Sequence, residues 1–157
     1  MKITDKINME TIIFPLQAIS KQDVIEEMLN HCIALDYLTA YTKLKNDLNH
    51  REKIFNAASG RGVAYHYNVS IEVNEIIAVL GISNQGIDYQ ASDGLLCNFI
   101  LLILEPKNKL NQHRKLINLF QGLINNYKIK SKLLEAQDKK EIFQTFLDWE
   151  NSNLNII

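Results

Sequence analysis

Cysteine, proline and charge excess are all scarce in this chain, and each scarcity excludes something. The two cysteines, Cys32 and Cys97, have no metal-ligand spacing to one another or to any histidine. They read as buried thiols of a reducing compartment. Two prolines and six glycines in 157 residues leave no low-complexity tract or linker. Lysine and arginine number 17 against 18 acids, a net charge of −1, so no global field draws the chain toward nucleic acid or an anionic membrane. The longest apolar run, Phe99 to Leu104, is far too short to span a bilayer. The opening MKITDKINMETIIF has neither a long apolar stretch nor a small-residue cleavage site. These features predict a cytoplasmic protein with no membrane insertion. Trp149 and the six tyrosines are not set among clustered basic residues, so they read as core and rim rather than a stacking platform for nucleic acid. What is present is 46% hydrophobic residues, enough for one ordinary globular domain with a proper core.

Taken in order, residues 1–10 are polar and aperiodic and read as a mobile lead-in. Thr11 to Leu16 is β-rich, with Pro15 marking an edge or an early end. Ser20 followed by Asp23 is a helix N-cap with an acid in the first turn. Val24, Ile25, Met28, Leu29 and Cys32 then form one helical apolar face. Asp36 is placed to cap a second helix carrying Leu38, Tyr41, Leu44 and Leu48. Val63–Tyr67 reads as a short strand. Ile76–Ile82 and Cys97–Leu104 are near-continuous apolar runs, as expected of strands covered on both faces. Between them Gly86 and Asp93-Gly94 mark turns, with Asp88 and Asp93 as turn formers. A helix near His113 buries Leu116, Leu119, Phe120, Leu123 and Ile124. Lys132–Ala136 is another helical piece, and Asp138 with Glu141 opens a last helix that ends in a frayed tail, NSNLNII. The order predicts an α/β domain of three layers, α/β/α, around a mixed central sheet.

One stretch carries chemistry, Arg51 to His66, REKIFNAASGRGVAYH. Ala57, Ala58, Gly60 and Gly62 are small enough for backbone amides to approach an anion, or they form no more than a Gly-bounded turn before a strand. Arg51 and Arg61 are forked cations suited to phosphate. His66 is a nucleophile able to carry a phosphoryl group. His31 and His50 have no partners at metal spacing and read as surface or packing residues.

These residues together resemble the type 2 enzyme IIA of the bacterial phosphoenolpyruvate-dependent phosphotransferase system, the fructose, mannitol and nitrogen-related class. Members carry REK, a small-residue and glycine turn, and GVA shortly before a phosphorylated histidine. GIDYQASDGLLCNFILLILEPKNKLNQHRKL resembles the family's GIDF-A-DG segment, apolar strand, AP-turn and helix with a second histidine. SKLLEAQDKKEIFQTFL resembles its C-terminal helix pair. The likeness spans about residues 11–150. It implies a site of His66 as phosphoryl acceptor, His113 as the second histidine and Arg51 as the arginine, with no metal or organic cofactor. In-line transfer of this kind depends on positioning and on stabilising charge at the equatorial oxygens. The implied donor is a histidine-containing phosphocarrier protein, and the implied recipient is an enzyme IIB or a regulated target protein.

The chain departs from the family at the histidine itself. Members read GVAIPHA or close to it, whereas this chain reads GVAYHY, one residue shorter and without the proline. Asn56-Ala57-Ala58 replaces the usual Ser-Thr-Gly. A one-residue slip in a strand turns a side chain to the opposite face. Two functions therefore stand open: a phosphocarrier, with the nitrogen-related regulatory type favoured, and a degenerate regulatory module that binds proteins without being phosphorylated.

Overall fold

A computed structural model describes residues 1–154. Five strands form one sheet: β1 (Ile12–Ile13), β2 (Ala58–Gly60), β3 (Val63–Val69), β4 (Ile77–Ile87) and β5 (Cys97–Glu105). Their spatial order is β1-β4-β5-β3-β2. The pairs β1/β4 and β3/β5 are parallel, and β4/β5 and β2/β3 are antiparallel. Five helices cover it: α1 (Lys21–Ala34), α2 (Thr42–Ile54), α3 (Gln112–Asn125), α4 (Tyr127–Glu135) and α5 (Lys139–Leu154). The expected three-layer α/β architecture with a mixed sheet is what forms.

Alternation along the central strands explains why β5 reads as continuously apolar. Phe99, Leu101 and Ile103 point into a core shared with Leu116, Phe120 and Phe146, beneath α3 and α5. Ile100, Leu102 and Leu104 point into a second core with Val24, Met28 and Leu29 of α1 and Leu44 and Leu48 of α2. A strand with helices on both faces has no solvent side, and burying each such side chain contributes about 2 kcal/mol. The Ser20 hydroxyl accepts from the Asp23 amide at 3.2 Å and starts α1 as its sequence requires. Asp138 accepts from the Glu141 amide at 2.9 Å, and Glu141 in turn takes the Gln137 amide at 2.7 Å.

Several expectations change. Residues 1–10 are no loose lead-in: Ile3 and Ile7 are fully buried. The Thr4 amide and hydroxyl both donate to the Glu150 carboxylate of α5, at 2.7 and 2.9 Å. Asp36 does not open α2. It adopts the left-handed conformation (φ 62°) just after α1 and turns the chain away, a conformation Asp tolerates better than most residues. The helix begins six residues later, at Thr42. β4 runs on to Ile87, through the Ser83–Gly86 segment expected to be a turn. Of the tail expected to be frayed, residues 151–154 continue α5 and residues 155–157 lie outside the described residues.

Candidate functional site

The small-residue segment folds as a hairpin. β2 and β3 pair Ala58 with Ala64 and Gly60 with Val63, and Arg61 (φ 60°) and Gly62 (φ 79°) make the two-residue loop. Two consecutive left-handed residues are what a tight hairpin turn of this hand requires. Its amides are already engaged: Ala57 with the Glu52 carboxylate (3.0 Å), Ala58 with Asn56 Oδ1 (2.9 Å) and Arg61 with Asp93 Oδ2 (2.8 Å). The segment is thus a turn satisfied by its own Glu52 and Asn56 and by Asp93 of a neighbouring loop rather than an anion cradle. Arg61 bonds Asn125 Oδ1 at 2.6 Å, on the α3 side.

Strand β3 then decides which side chains meet. Val63, Tyr65 and Tyr67 pack toward the α3/α5 core, and Ala64 belongs to the α1/α2 core. His66 lies across from Leu102 of β5, which also faces α1 and α2. His66 is 4% exposed, and its Nε2 pairs with the hydroxyl of fully buried Tyr89 at 2.8 Å. Burial pushes its imidazole down to about 4, helped by the nearby Lys21 ammonium. The His66 environment includes one small cleft, about 110 Å³, shared with Arg51, Phe55, Tyr65 and Tyr67. Ligand-accepting pockets are usually ~300–1,000 Å³.

The expected pairing of His66 with His113 is absent from the hydrogen bonds and ring contacts: His66 bonds Tyr89 of the α1/α2 core, whereas His113 stacks on Tyr67, which packs toward the α3/α5 core. The residue beside His113 is Tyr67. Its ring stacks on the imidazole, centroids 3.9 Å apart and planes 23° apart. Arg51, at the end of α2, reaches the same tyrosine: its guanidinium donates to the Tyr67 carbonyl at 2.6 Å and lies 5.6 Å from the ring centroid. Counted from the shared GVA, Tyr67 also stands where GVAIPHA has its histidine. Register and count agree.

A residue that sequence reasoning missed ties this cluster together. Glu105, the last residue of β5, is fully buried. Its Oε1 accepts the His113 amide at 2.7 Å, and its Oε2 accepts both His113 Nδ1 at 3.0 Å and the Tyr67 hydroxyl at 2.8 Å. Burial pushes this carboxyl up, and the bonds from Tyr67 and His113 outweigh it, so it is held below the usual carboxylate range. The same contact pushes the Tyr67 phenol up to about 12, after burial as the larger cause. Glu105 also caps α3, whose preceding residue Asn111 is left-handed (φ 77°) and gives no side-chain cap. It replaces the alanine of the family's AP-turn. The signal available in the sequence was an acid closing a wholly apolar strand, since a buried charge needs a partner, and His113 follows eight residues later.

The fold is shared with solved structures of other proteins. The nitrogen regulatory protein IIA-Ntr of Neisseria meningitidis superposes with a TM-score of 0.80 at 19% identity, over 92% of this chain and 98% of that one. IIA mannitol of Escherichia coli gives 0.74 at 15% identity, over 90% and 99%. Residues 5–149 match the family described as phosphoenolpyruvate-dependent sugar phosphotransferase system, EIIA 2, and the chain belongs to that family. Among curated relatives it is 27% identical over 143 residues to the fructose-specific EIIABC component of Bacillus subtilis, covering 90% of this chain but only 22% of that protein. It is 25% identical to a nitrogen regulatory protein of Bradyrhizobium diazoefficiens, covering 91% of this chain and 93% of the relative.

Proposed function

We propose that the chain is a regulatory member of the EIIA type 2 family, acting through contacts with other proteins, and that His66 is not its phosphoryl acceptor. One observation carries this reading: Tyr67, not His66, meets both Arg51 and His113, and of that group Arg51 and Tyr67 also line the His66 cleft. An acceptor must meet the phosphorus of an incoming donor in line, and a 1 Å misplacement can cost roughly a hundredfold. His66 is buried on the other face, with Nε2 committed to Tyr89. Two relatives named for nitrogen regulation, 25% and 26% identical over more than 90% of this chain, support the regulatory type. One structural neighbour is enzyme IIA mannitol of Escherichia coli in complex with phosphorylated IIB mannitol; by analogy the partner here is an enzyme IIB or another regulated protein, and the donor class is a histidine-containing phosphocarrier protein.

The test is to expose the purified chain to a reconstituted phosphoenolpyruvate relay and map acid-labile phosphate by residue. The expected result is no phosphate on His66 and no change on His66→Gln. Phosphate on His66, lost in His66→Gln, overturns the reading.

A further inference from the structure

We propose that His113 is a phosphoryl acceptor through its Nε2, with Glu105 as the residue that positions it. This rests on the reading above, that the functional cluster is Arg51, Tyr67, Glu105 and His113.

A histidine nucleophile needs one ring nitrogen with a free lone pair, a group on the other nitrogen that fixes the tautomer, and an approach that tolerates an anion. His113 has all three. A carboxylate accepts hydrogen bonds and cannot donate one, so Nδ1 carries the proton toward Glu105 and the neutral ring keeps its lone pair on Nε2. The ring cannot swing: Tyr67 stacks on it, and the carboxylate that holds Nδ1 also holds the His113 amide. The side chain remains 17% exposed, unlike His66. No acid occurs between Pro106 and Leu134, while Lys107, Lys109, Arg114 and Lys115 flank the histidine in sequence. That stretch suits the approach of a phosphorylated partner.

In the step itself, the Nε2 lone pair attacks the phosphorus of a protonated nitrogen-linked phosphoryl donor. The donor's P–N bond breaks, its electron pair returning to the donor nitrogen, which leaves neutral. A P–N bond forms at Nε2, the proton stays on Nδ1, and the positive ring so formed lies against the Glu105 carboxylate. No other co-reactant is consumed.

The experiment uses the full chain and phosphoramidate, which needs no cognate protein and releases ammonia. Phosphate is mapped by residue with mass spectrometry after an alkaline quench, and the isomer is read by ³¹P NMR. His31 and His50 serve as internal controls. The expected result is phosphorylation of His113 at Nε2, roughly tenfold or more faster than either control. It should vanish in His113→Gln and persist in His66→Gln. Glu105→Ala should release Nδ1, so that phosphate appears on both ring nitrogens; a merely structural carboxylate would not change the isomer ratio. Should that variant fail to fold, the wild-type isomer and rate still decide. His113 reacting no faster than the controls, or giving the Nδ1 isomer in the wild type, overturns the proposal and leaves the preceding reading standing. Phosphate on His66 overturns both.

Discussion

Replacing His66 with glutamine removes a titrating group from the core while leaving an amide to meet the Tyr89 hydroxyl. The wild-type imidazole titrates near 4 in the fold, against 6.5 for the free side chain. Between those values the unfolded chain binds the proton and the native chain does not. Stability from keeping His66 neutral is thus whole above 6.5 and is lost as pH falls toward 4. At about 1.4 kcal/mol per tenfold change, that interval corresponds to about 3 kcal/mol by pH 4. A domain of this size is stable by only ~5–15 kcal/mol, so the effect is large. Urea unfolding of both proteins from pH 7 to pH 4 measures it. Other groups, Glu105 among them, titrate in both proteins and cancel in the difference. The wild type should lose about 3 kcal/mol more than His66→Gln over that range. Parallel curves would refute the reasoning, as would a His66 ring resonance that titrates near 6.5.

Two further substitutions probe other joints of the structure. Tyr67→Phe removes the hydroxyl that donates to buried Glu105 at 2.8 Å; it should cost about 1.5 kcal/mol, read as a lower urea midpoint at unchanged slope. Glu150→Ala removes the carboxylate that holds the Thr4 amide and hydroxyl; it should cost about 2 kcal/mol and raise amide exchange across residues 2–7.

Much of this fold was legible in the chain because its signals were local or periodic. The Ser20 cap, the apolar face of α1 and the two-sided burial of β5 follow from residues within one or two turns of each other. The misreadings arose where one residue type serves two conformations. Aspartate starts helices and also tolerates the left-handed turn that Asp36 makes. Glycine-rich Gly60-Arg61-Gly62 suits an anion loop and a tight hairpin alike. Ile3 and Ile7 looked isolated because the helix they pack near, α5, lies at the other end of the chain. Arg51 and His113 were expected from the family likeness, and the structure brings both to Tyr67. The side of His66 was also within reach, since period-two alternation sets it apart from Tyr65 and Tyr67. Glu105 was not, because its partners come from β3 and α3 and only the sheet brings them together.

The most direct test of that arrangement is nuclear Overhauser contact among the aromatic rings of the wild-type protein. Cross-peaks should join Tyr67 to His113, whose centroids are 3.9 Å apart, and His66 to Tyr89, at 5.7 Å, with none between His66 and His113. A His66–His113 cross-peak would place the two histidines in one site and contradict the account.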